Sequence, residues 1–592
     1  MQRSSRGIGA TLRLAALTLS IALCGAWQVA VAPAPGAPAA DTSSPPPPPT
    51  GRPTQQVATS PGVTAEEAVT RATAAEQKKD PACVDWYAWA VLRSWPAVMV
   101  RERTNARDVN WQRYHDSLTK TIVLGLKHKR LDPQRGLDLR IPGAAPVRVV
   151  VNRYGFAWQA EDFNELQLAG DVPAGKLARH WREPGLGVPL IVLRRRKTER
   201  DFHGKAMPFA ATAVLRPAGD PAMLSSSTPP GTVAGILDLY DPLRVSELEL
   251  EGVVQPVARD TSAPYALILR DMNRDNWQAF FRPGTGEAIG LRMLEPYQQG
   301  KIPVVLVHGL LSDKFTWIPL INDLRAVPWI NTRYQIWTFQ YPTGEPFLQS
   351  AATLRQVLRD VNAVFDPRGT DPTQQQIVLI GHSMGGLVSK LQITYSGNIL
   401  WDQVASRPFP ELRAPPQQRD AVYKMFFFEP TPAVKRAVFI GTPHLGSFWA
   451  QSLYGRVGAS LVRMPREGHD VLDSLLESNP QVFNKTLRGG IPTSIDLLKA
   501  DSPLLQGMTQ LPINPAVRIH SIVGNGTPFS DGTPADGVVS MDSARHPGAA
   551  SERFVNASHS DLPDHQDTVA EVLRILAEHL QQVDAVYRVT QP

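Results

Sequence analysis

The sequence predicts an α/β protein in its second half, in which helices cover both faces of a mostly parallel sheet, preceded by a β-rich accessory domain. After Lys301, apolar runs that suit buried strands alternate with helical patterns. Between about 140 and 298, by contrast, short β-rich runs are separated by glycine and proline. One of the later strands ends in a glycine-flanked serine, Gly381-His382-Ser383-Met384-Gly385, just before a helical pattern.

Length and composition set the scale of the molecule. A chain of 592 residues, 43% of them apolar, is too long for one core, so two folded domains plus extensions are expected. The 61 basic and 55 acidic residues are spread along the chain, and the formal charge of +6 is a small surplus. The densest basic cluster, residues 194–197, is interpreted as a solvated strand end, so no nucleic-acid partner is expected.

The first 32 residues fit an export signal. Three arginines precede an apolar run from Leu14 to Trp27, which is short for a membrane-spanning helix. We therefore expect an exported protein, in the periplasm, the cell envelope or the medium. Cys24 followed by Gly25 leaves lipid anchoring open as an alternative to ordinary cleavage further along. Cleavage beyond Cys24 would leave Cys83 as the one remaining cysteine, so no internal disulfide would form.

Two segments precede the α/β half. Residues 33–62 are rich in proline and alanine and predict an extended tether. Residues 63–299 then predict an N-terminal helical segment, from about 64 to 100, and a β-sandwich or barrel-like accessory domain without a catalytic constellation. Its predicted strands are 147–151, 190–193, 211–215, 248–251 and 266–269.

Residues 300–592 carry the alternating pattern, which predicts a parallel sheet covered by helices on both sides. The predicted strands are 302–307, 334–339, 377–380, 437–440 and 516–523, and the predicted helices are 316–325, 347–365 and 568–583. In such a sheet the serine stands at the carboxyl end of a strand. The flanking glycines suit a sharp strand-to-helix turn, where a Cβ would clash and the hydroxyl is left exposed.

The motifs of this half together resemble the lipases and esterases of the α/β-hydrolase superfamily. They occur in the family's order: Pro303 to Leu310, then Gly381-His382-Ser383-Met384-Gly385-Gly386, then a Gly-Thr-Pro-His segment at 441–444. The resemblance covers about residues 300 to 585. It implies the α/β-hydrolase fold and a Ser383 nucleophile, which needs a histidine base and a carboxylate that orients it, in the chain order Ser, acid, His.

The carboxylate is expected in the loop after the strand that ends near Val523, where the resemblance places the acid. Asp536 is the choice. Asp531 has nearly the same surroundings and stays a competitor.

The base is expected in the polar loop before the final helix, where family members carry their histidine. His559 is the choice. His565, closer to the helix, suits a cap or surface role, and His546 lies in a loop and stays a further alternative. His520 alternates within a strand and is interpreted as a structural histidine.

The resemblance also implies an oxyanion hole built from backbone N–H groups, which stabilise the negative charge of the tetrahedral intermediate. Met384, directly after the nucleophile, and Leu310, after the strand ending at Val307, are the expected donors, with Leu311 as the fallback. His308 and Gly309 would shape the loop. His382 and His444 are interpreted as packing and loop-fixing residues.

Two cap insertions are predicted, near 396–432 and 448–515, and both are rich in aromatic residues or leucine. Insertions at these places form lids in the family, and apolar lids suit acyl chains and contact with a membrane surface. The alternative is that these side chains pack the cap against the core. The sequence therefore does not distinguish a lipase from a short-chain esterase.

The resulting hypothesis is an exported serine carboxylic-ester hydrolase that acts on lipid or other acyl esters and needs no cofactor or metal. An acyltransferase or phospholipase would use the same triad. A tethered binding protein with a degenerate hydrolase scaffold is an alternative of another class, and the intact order of Ser383, Asp536 and His559 argues against it. Nothing in the sequence marks the peptide-binding site of a peptidase.

Overall fold

The structure is a computed structural model that describes residues 63–99, 109–140, 145–195, 206–221, 224, 228–275, 290–310, 312, 314–343, 346–447, 475–484 and 494–590. The predicted export signal, the tether and Cys24 lie outside these ranges, as does Leu311. Within them, no helix is both long and apolar enough to cross a membrane.

Three helices open the described chain: α1 (Ala65–Gln77), α2 (Cys83–Val98) and α3 (Val109–Lys127). The Thr64 hydroxyl caps α1 by accepting a hydrogen bond from the Glu67 backbone N–H at 3.1 Å. Helix α2 is buried on nearly all sides because it lies among α1, α3 and a sheet. Its Cys83 is a buried free thiol.

The described residues of the accessory domain contain ten strands, and six of these form one mixed sheet in the order β1-β2-β7-β6-β5-β3, with β2 and β7 parallel and the other neighbours antiparallel. The strands are β1 (Leu137–Leu139), β2 (Val147–Tyr154), β3 (Glu165–Leu168), β4 (Arg182–Glu183), β5 (Val188–Arg195), β6 (Ala206–Pro217), β7 (Val233–Tyr240), β8 (Glu247–Leu250), β9 (Val253–Pro256) and β10 (Arg259–Asp260).

This arrangement corrects the prediction of a sandwich or barrel. A single six-stranded sheet shares its core with the N-terminal helices, as Leu92 and Trp95 of α2 and Val149 and Leu215 of the sheet belong to one buried cluster. The helices thus take the place of a second sheet. The predicted strand 266–269 was also wrong, because it lies inside helix α4 (Ala263–Asp275). A short apolar run does not distinguish a strand from a buried turn of helix.

The second sheet has seven strands in the order β11-β13-β12-β14-β15-β16-β17, all parallel except the edge strand β11. They are β11 (Gly290–Met293), β12 (Ile302–Val307), β13 (Tyr334–Gln340), β14 (Ile377–His382), β15 (Val434–Ile440), β16 (Arg518–Gly524) and β17 (Ser551–Val555). The five predicted strands are confirmed. Strands β11 and β17 were not predicted, and β11 begins the sheet ten residues before the expected domain boundary at 300.

The helices of this domain lie on both faces of the sheet, as predicted. They are α5 (Ile318–Arg325), α6 (Pro328–Arg333), α7 (Phe347–Phe365), α8 (Met384–Lys390), α9 (Ile399–Val404), α10 (Pro416–Phe426), α11 (Ser494–Leu497), α12 (Pro503–Gln510), α13 (Met541–Ala544) and α14 (Gln566–Thr590). Helices α7 and α8 share one buried cluster with the cap, and α5 and α14 share the opposite one. Strand β12 is buried throughout and contributes to both clusters.

The accessory domain docks on α5. The Trp181 indole N–H donates to Asp323 at 2.9 Å, and the Ser262 hydroxyl donates to the Asn322 side chain at 2.7 Å. Ile318 at the start of α5 joins a small buried cluster with apolar residues of the accessory domain. This contact lies on the α5 face of the sheet, whereas the cap shares the cluster of α7 and α8 on the other face.

A buried group of charges joins the two domains beside this contact. The Glu295 carboxylate lies between the guanidinium groups of Arg244 and Arg325, with both closest N–O distances at 3.0 Å. Burial alone would raise the pKa of Glu295, but the charges of Arg325 and Arg244 hold it well below its usual range. The carboxylate therefore stays ionised and contributes to stability above the ordinary pKa of a glutamate.

We expect Glu295→Gln to lower the free energy of unfolding by about 3 kcal/mol at neutral pH, because it leaves two buried guanidinium groups without their shared partner. Urea unfolding of the full chain measures this change. A glutamate with a depressed folded pKa loses its stabilising effect as the pH falls. The difference in the free energy of unfolding between wild type and Glu295→Gln should therefore become smaller below about pH 4. Exposed Glu429→Gln is the control. Equal urea concentrations at the unfolding midpoint for wild type and Glu295→Gln at pH 7 would contradict the expectation.

Candidate active site

Ser383 occupies the turn between β14 and α8 in a strained backbone conformation. Its φ of 54° and ψ of −128° lie in a region that residues other than glycine seldom adopt. The Ser383 N–H donates to the carbonyl of Ile440 at 2.9 Å, which ties the turn to the neighbouring strand β15. Ser383 is 8% exposed, so most of its surface is covered by the surrounding chain.

Glycines around the turn allow this conformation because chain segments touch there. A Cβ on Gly381 would stand 2.5 Å from the carbonyl oxygen of Gly385, and one on Gly385 would stand 2.2 Å from that of Val307. A Cβ on Gly309 would stand 2.8 Å from the Cβ of Ser383. Any side chain at these positions would push the serine out of place.

The structure brings Asp536 and His559 together. Asp536 Oδ2 accepts a hydrogen bond from His559 Nδ1 at 2.7 Å, and the Asp536 carbonyl accepts one from the His559 N–H at 2.8 Å. The other carboxylate oxygen accepts from the backbone N–H groups of Val538 and Val539 at 3.0 and 2.8 Å. The Asp536 side chain is fully buried, so the carboxylate is fixed by its hydrogen bonds.

Gly441 makes room for this pair. Its φ is 52°, and a Cβ there would lie 3.2 Å from Asp536 Oδ2 and 3.3 Å from His559 Nδ1. Because Nδ1 donates to the carboxylate, Nε2 is left free to accept a proton. The imidazole can therefore act as a general base through Nε2.

The competing residues lie elsewhere. Asp531 is exposed and caps a turn, with its carboxylate accepting from the Thr533 N–H at 2.9 Å. His565 accepts from the Asp567 N–H at 3.2 Å near the start of α14, as suits a cap. His520 lies between Arg436 and Ser551 at 2.7 Å from each, which fits the structural interpretation. His546 contacts His444 instead of His559.

His382 links the serine turn to the histidine loop. Its Nε2 lies 3.0 Å from the carbonyl oxygen of His559, and since a carbonyl oxygen can only accept, Nε2 is the donor. The two rings are 4.8 Å apart. Burial and the neighbouring His559 hold the pKa of His382 well below its usual range, so it is neutral. The sequence had indicated only a packing role for His382, and no sequence pattern predicts its hydrogen bond to the His559 carbonyl.

The loop after β12 is built on His308 and Tyr341. Their rings stack at 4.4 Å, and the Tyr341 hydroxyl donates to the carbonyl of His308 at 2.6 Å. Burial lowers the pKa of His308 to about 4, so it is neutral as well. Leu310 follows in a half-buried turn, and Met384 begins α8. Tyr341 was not singled out in the sequence.

The serine hydroxyl has no hydrogen bond to His559 in the part of the chain that the structure describes. Such a bond often forms only when substrate binds. Ser383 and His559 are nevertheless held close together, because His382 is the direct neighbour of Ser383 and contacts His559 with both its ring and its donor. Within the described ranges, no group of three or more potential metal ligands occurs.

The described part of the cap packs on itself. Trp401 in α9 is 2% exposed and contacts four phenylalanines, with ring centroids 5.2 to 6.0 Å away. These are Phe409, Phe426, Phe427 and Phe483. The aromatic residues of the first insertion therefore pack the cap against the core. Residues 448–474 and 485–493 of the second insertion lie outside the described ranges.

Comparison with known proteins supports the fold. Residues 304–572 match the model of the alpha/beta hydrolase family, which is a little under half of the chain. No curated protein is detectably similar in sequence.

Several solved structures are similar to the second half of the chain. The lipase BlEst2 of Bacillus licheniformis in its mature form is 17% identical and covers 49% of this chain and 99% of its own, with a TM-score of 0.31. EstA from Clostridium botulinum is 14% identical over 50% of this chain and 89% of its own, with a TM-score of 0.31. The phospholipase PlaB of Legionella pneumophila is 12% identical over 49% and 65%, also with a TM-score of 0.31. The family match and the sheet topology together show that the second half of this chain has the α/β-hydrolase fold.

Proposed function

We propose that this chain is a serine carboxylic-ester hydrolase acting through an acyl-enzyme, with Ser383 as nucleophile, His559 as base and Asp536 as the orienting acid. The observation that carries the proposal is the Asp536–His559 pair. It presents a free Nε2 beside a serine held in a strained turn. The three residues also follow the chain order of the family.

The geometry supports a definite sequence of proton movements. His559 Nε2 would take the proton of Ser383 as the hydroxyl oxygen attacks the ester carbonyl, and would then give it to the leaving alcohol. Asp536 would stabilise the imidazolium through its 2.7 Å hydrogen bond. Water would then attack the acyl-enzyme with His559 again as base, which releases the acid and restores the serine.

The oxyanion of the tetrahedral intermediate would be bound by backbone N–H groups of Leu310 and Met384. Met384 is the first residue of α8, where N–H groups have no partner inside the helix and the helix dipole favours negative charge. Such donors contribute several kcal/mol to lowering the barrier.

The proposed substrates are acyl esters, including lipid esters, since apolar side chains of the cap share the buried cluster of Met384 and Leu310 beside the serine turn. Export of the enzyme, with contact to a membrane surface through the cap, completes the proposal and rests on the sequence of the first 32 residues and of the cap.

We expect Ser383→Ala to reduce hydrolysis of p-nitrophenyl esters by at least about 10⁴-fold, because the variant lacks the hydroxyl that would attack the ester carbonyl. Wild type should hydrolyse at least one ester in a series from short to long acyl chains, and the chain-length optimum would separate esterase from lipase. Ser406 is exposed, and Ser406→Ala should hydrolyse the esters at the wild-type rate. A folded wild-type chain that hydrolyses no ester and does not react with a fluorophosphonate would favour the binding-protein alternative.

Asp536→Asn should lower kcat by about 10⁴-fold, since the amide no longer fixes the Nδ1–H tautomer of His559 or stabilises its charge. Asp531→Asn is a matched control, because Asp531 is exposed and lies in the same loop. Steady-state kinetics on the preferred ester measures both. A similar loss in the two variants would argue against the assigned acid.

His382→Phe should lower kcat about 10-fold with little change in KM, because the histidine loop loses the donor that holds its carbonyl. His382→Gln can place an N–H donor near the same carbonyl and should recover most of the rate. Fluorophosphonate labelling rates should follow the same order. If Gln and Phe behave alike, the hydrogen bond has no positioning role.

A further inference from the structure

A second polar cluster lies between α8 and the loop after β15. Lys390 ends this helix and is 4% exposed. One turn earlier, a Cβ on Gly386 would lie 1.8 Å from Thr442 Oγ1, so this face of α8 touches the loop after β15. Residues i and i+4 share a helix face, and side chains lean toward the helix N-terminus. The Lys390 side chain is therefore directed at the loop that carries Thr442 and His444.

Several polar atoms of this cluster have no partner among the described residues. Both ring nitrogens of His444 and the Thr442 hydroxyl are buried without a hydrogen bond. His444 is 3% exposed and its ring lies 5.0 Å from that of His546. His546 Nδ1 accepts from the Gly548 N–H at 3.1 Å, so its Nε2 carries the ring proton. Buried polar atoms are normally satisfied, so this concentration of donors indicates an occupant.

The cluster is cationic and has no carboxylate among the described residues that act on it. Burial, Lys390 and His546 all lower the pKa of His444, and burial and Lys390 lower that of His546 to about 4. Burial lowers the pKa of Lys390 to about 8, so its ammonium group is still mostly charged at neutral pH. A buried charge without a partner is costly, whereas an anion would satisfy it.

We propose that Lys390, His444 and His546 form a binding site for a small oxyanion, namely a carboxylate or phosphate group. Lys390 would supply the charge, while the imidazole N–H groups and the Thr442 hydroxyl would donate hydrogen bonds. Lys390 follows Ser383 by seven residues, so its Cα lies about 10 Å from that of the serine along the helix, and its side chain leans back toward the turn of Gly386. The proposal does not depend on the reaction proposed for Ser383.

Thermal unfolding of the full chain at pH 7 tests this site. Acetate, phosphate and chloride are compared at about 50 mM and equal ionic strength, and a bound anion stabilises the folded chain by mass action. We expect acetate or phosphate to raise the Tm of wild type by about 2 °C relative to chloride. A response to phosphate alone identifies a phosphate group as the ligand, and a response to acetate alone identifies a carboxylate.

Variants decide whether the rise comes from this site, because phosphate stabilises folded proteins in general. Lys390→Met should show no rise in Tm with acetate or phosphate. Lys424→Met is the control, because it removes a surface lysine paired with Asp420, and it should show the same rise as wild type. If Lys390→Met does not fold, His546→Phe is the second variant. It replaces the imidazole by an aromatic ring that cannot donate a hydrogen bond, and at least half of the anion-induced rise in Tm should disappear. No rise in wild type, or an undiminished rise in the variant that folds, would overturn the proposal in favour of buried water.

Discussion

The backbone of Ser383, held at a positive φ, is the constraint on which the rest of the domain depends. It persists only because four structural segments meet around it: β14, the loop after β12, helix α8 and the end of β15. Each approach uses a glycine where a Cβ would overlap with another chain segment. The parallel sheet supplies the rigid frame, since its central strands are buried on both faces.

The histidine loop is fixed by Asp536, and among the described residues one hydrogen bond, from His382 to the His559 carbonyl, joins this loop to the serine turn. Asp536 holds His559 through both its carboxylate and its carbonyl, while His382 holds the His559 carbonyl from the side of the serine. This division separates two tasks. The aspartate sets the tautomer and orientation of the ring, and His382 sets the distance between the loop and the elbow. A neutral histidine suits the second task because it adds no charge next to His559.

Much of this arrangement could be predicted from the sequence, for physical reasons that differ between regions. Strand β12 and helix α7 were predicted to the residue, because a fully apolar run and a long 3.6-residue periodicity are strong local signals. The helix α4 was mistaken for a strand because its apolar run is short. The packing of the six-stranded sheet against helices could not be foreseen, because tertiary contacts decide whether a helix or a second sheet covers a sheet face. The pairing of Asp536 with His559 across 23 residues followed from family order and not from any local pattern, and the bond from His382 had no local signal.

The edge strand β11 bears on how the chain can be divided. It comes before the predicted boundary at 300, yet it pairs antiparallel with β13 over Gly290–Met293. A fragment cut at residue 300 would leave the backbone donors and acceptors of β13, a strand of largely apolar residues, without their partner along one side. Unpaired strand edges of this kind recruit other strands, so such a fragment would tend to associate edge to edge. The stretch before 300 thus covers β13 with an edge strand of four residues, and short edge strands offer less backbone for pairing with another chain.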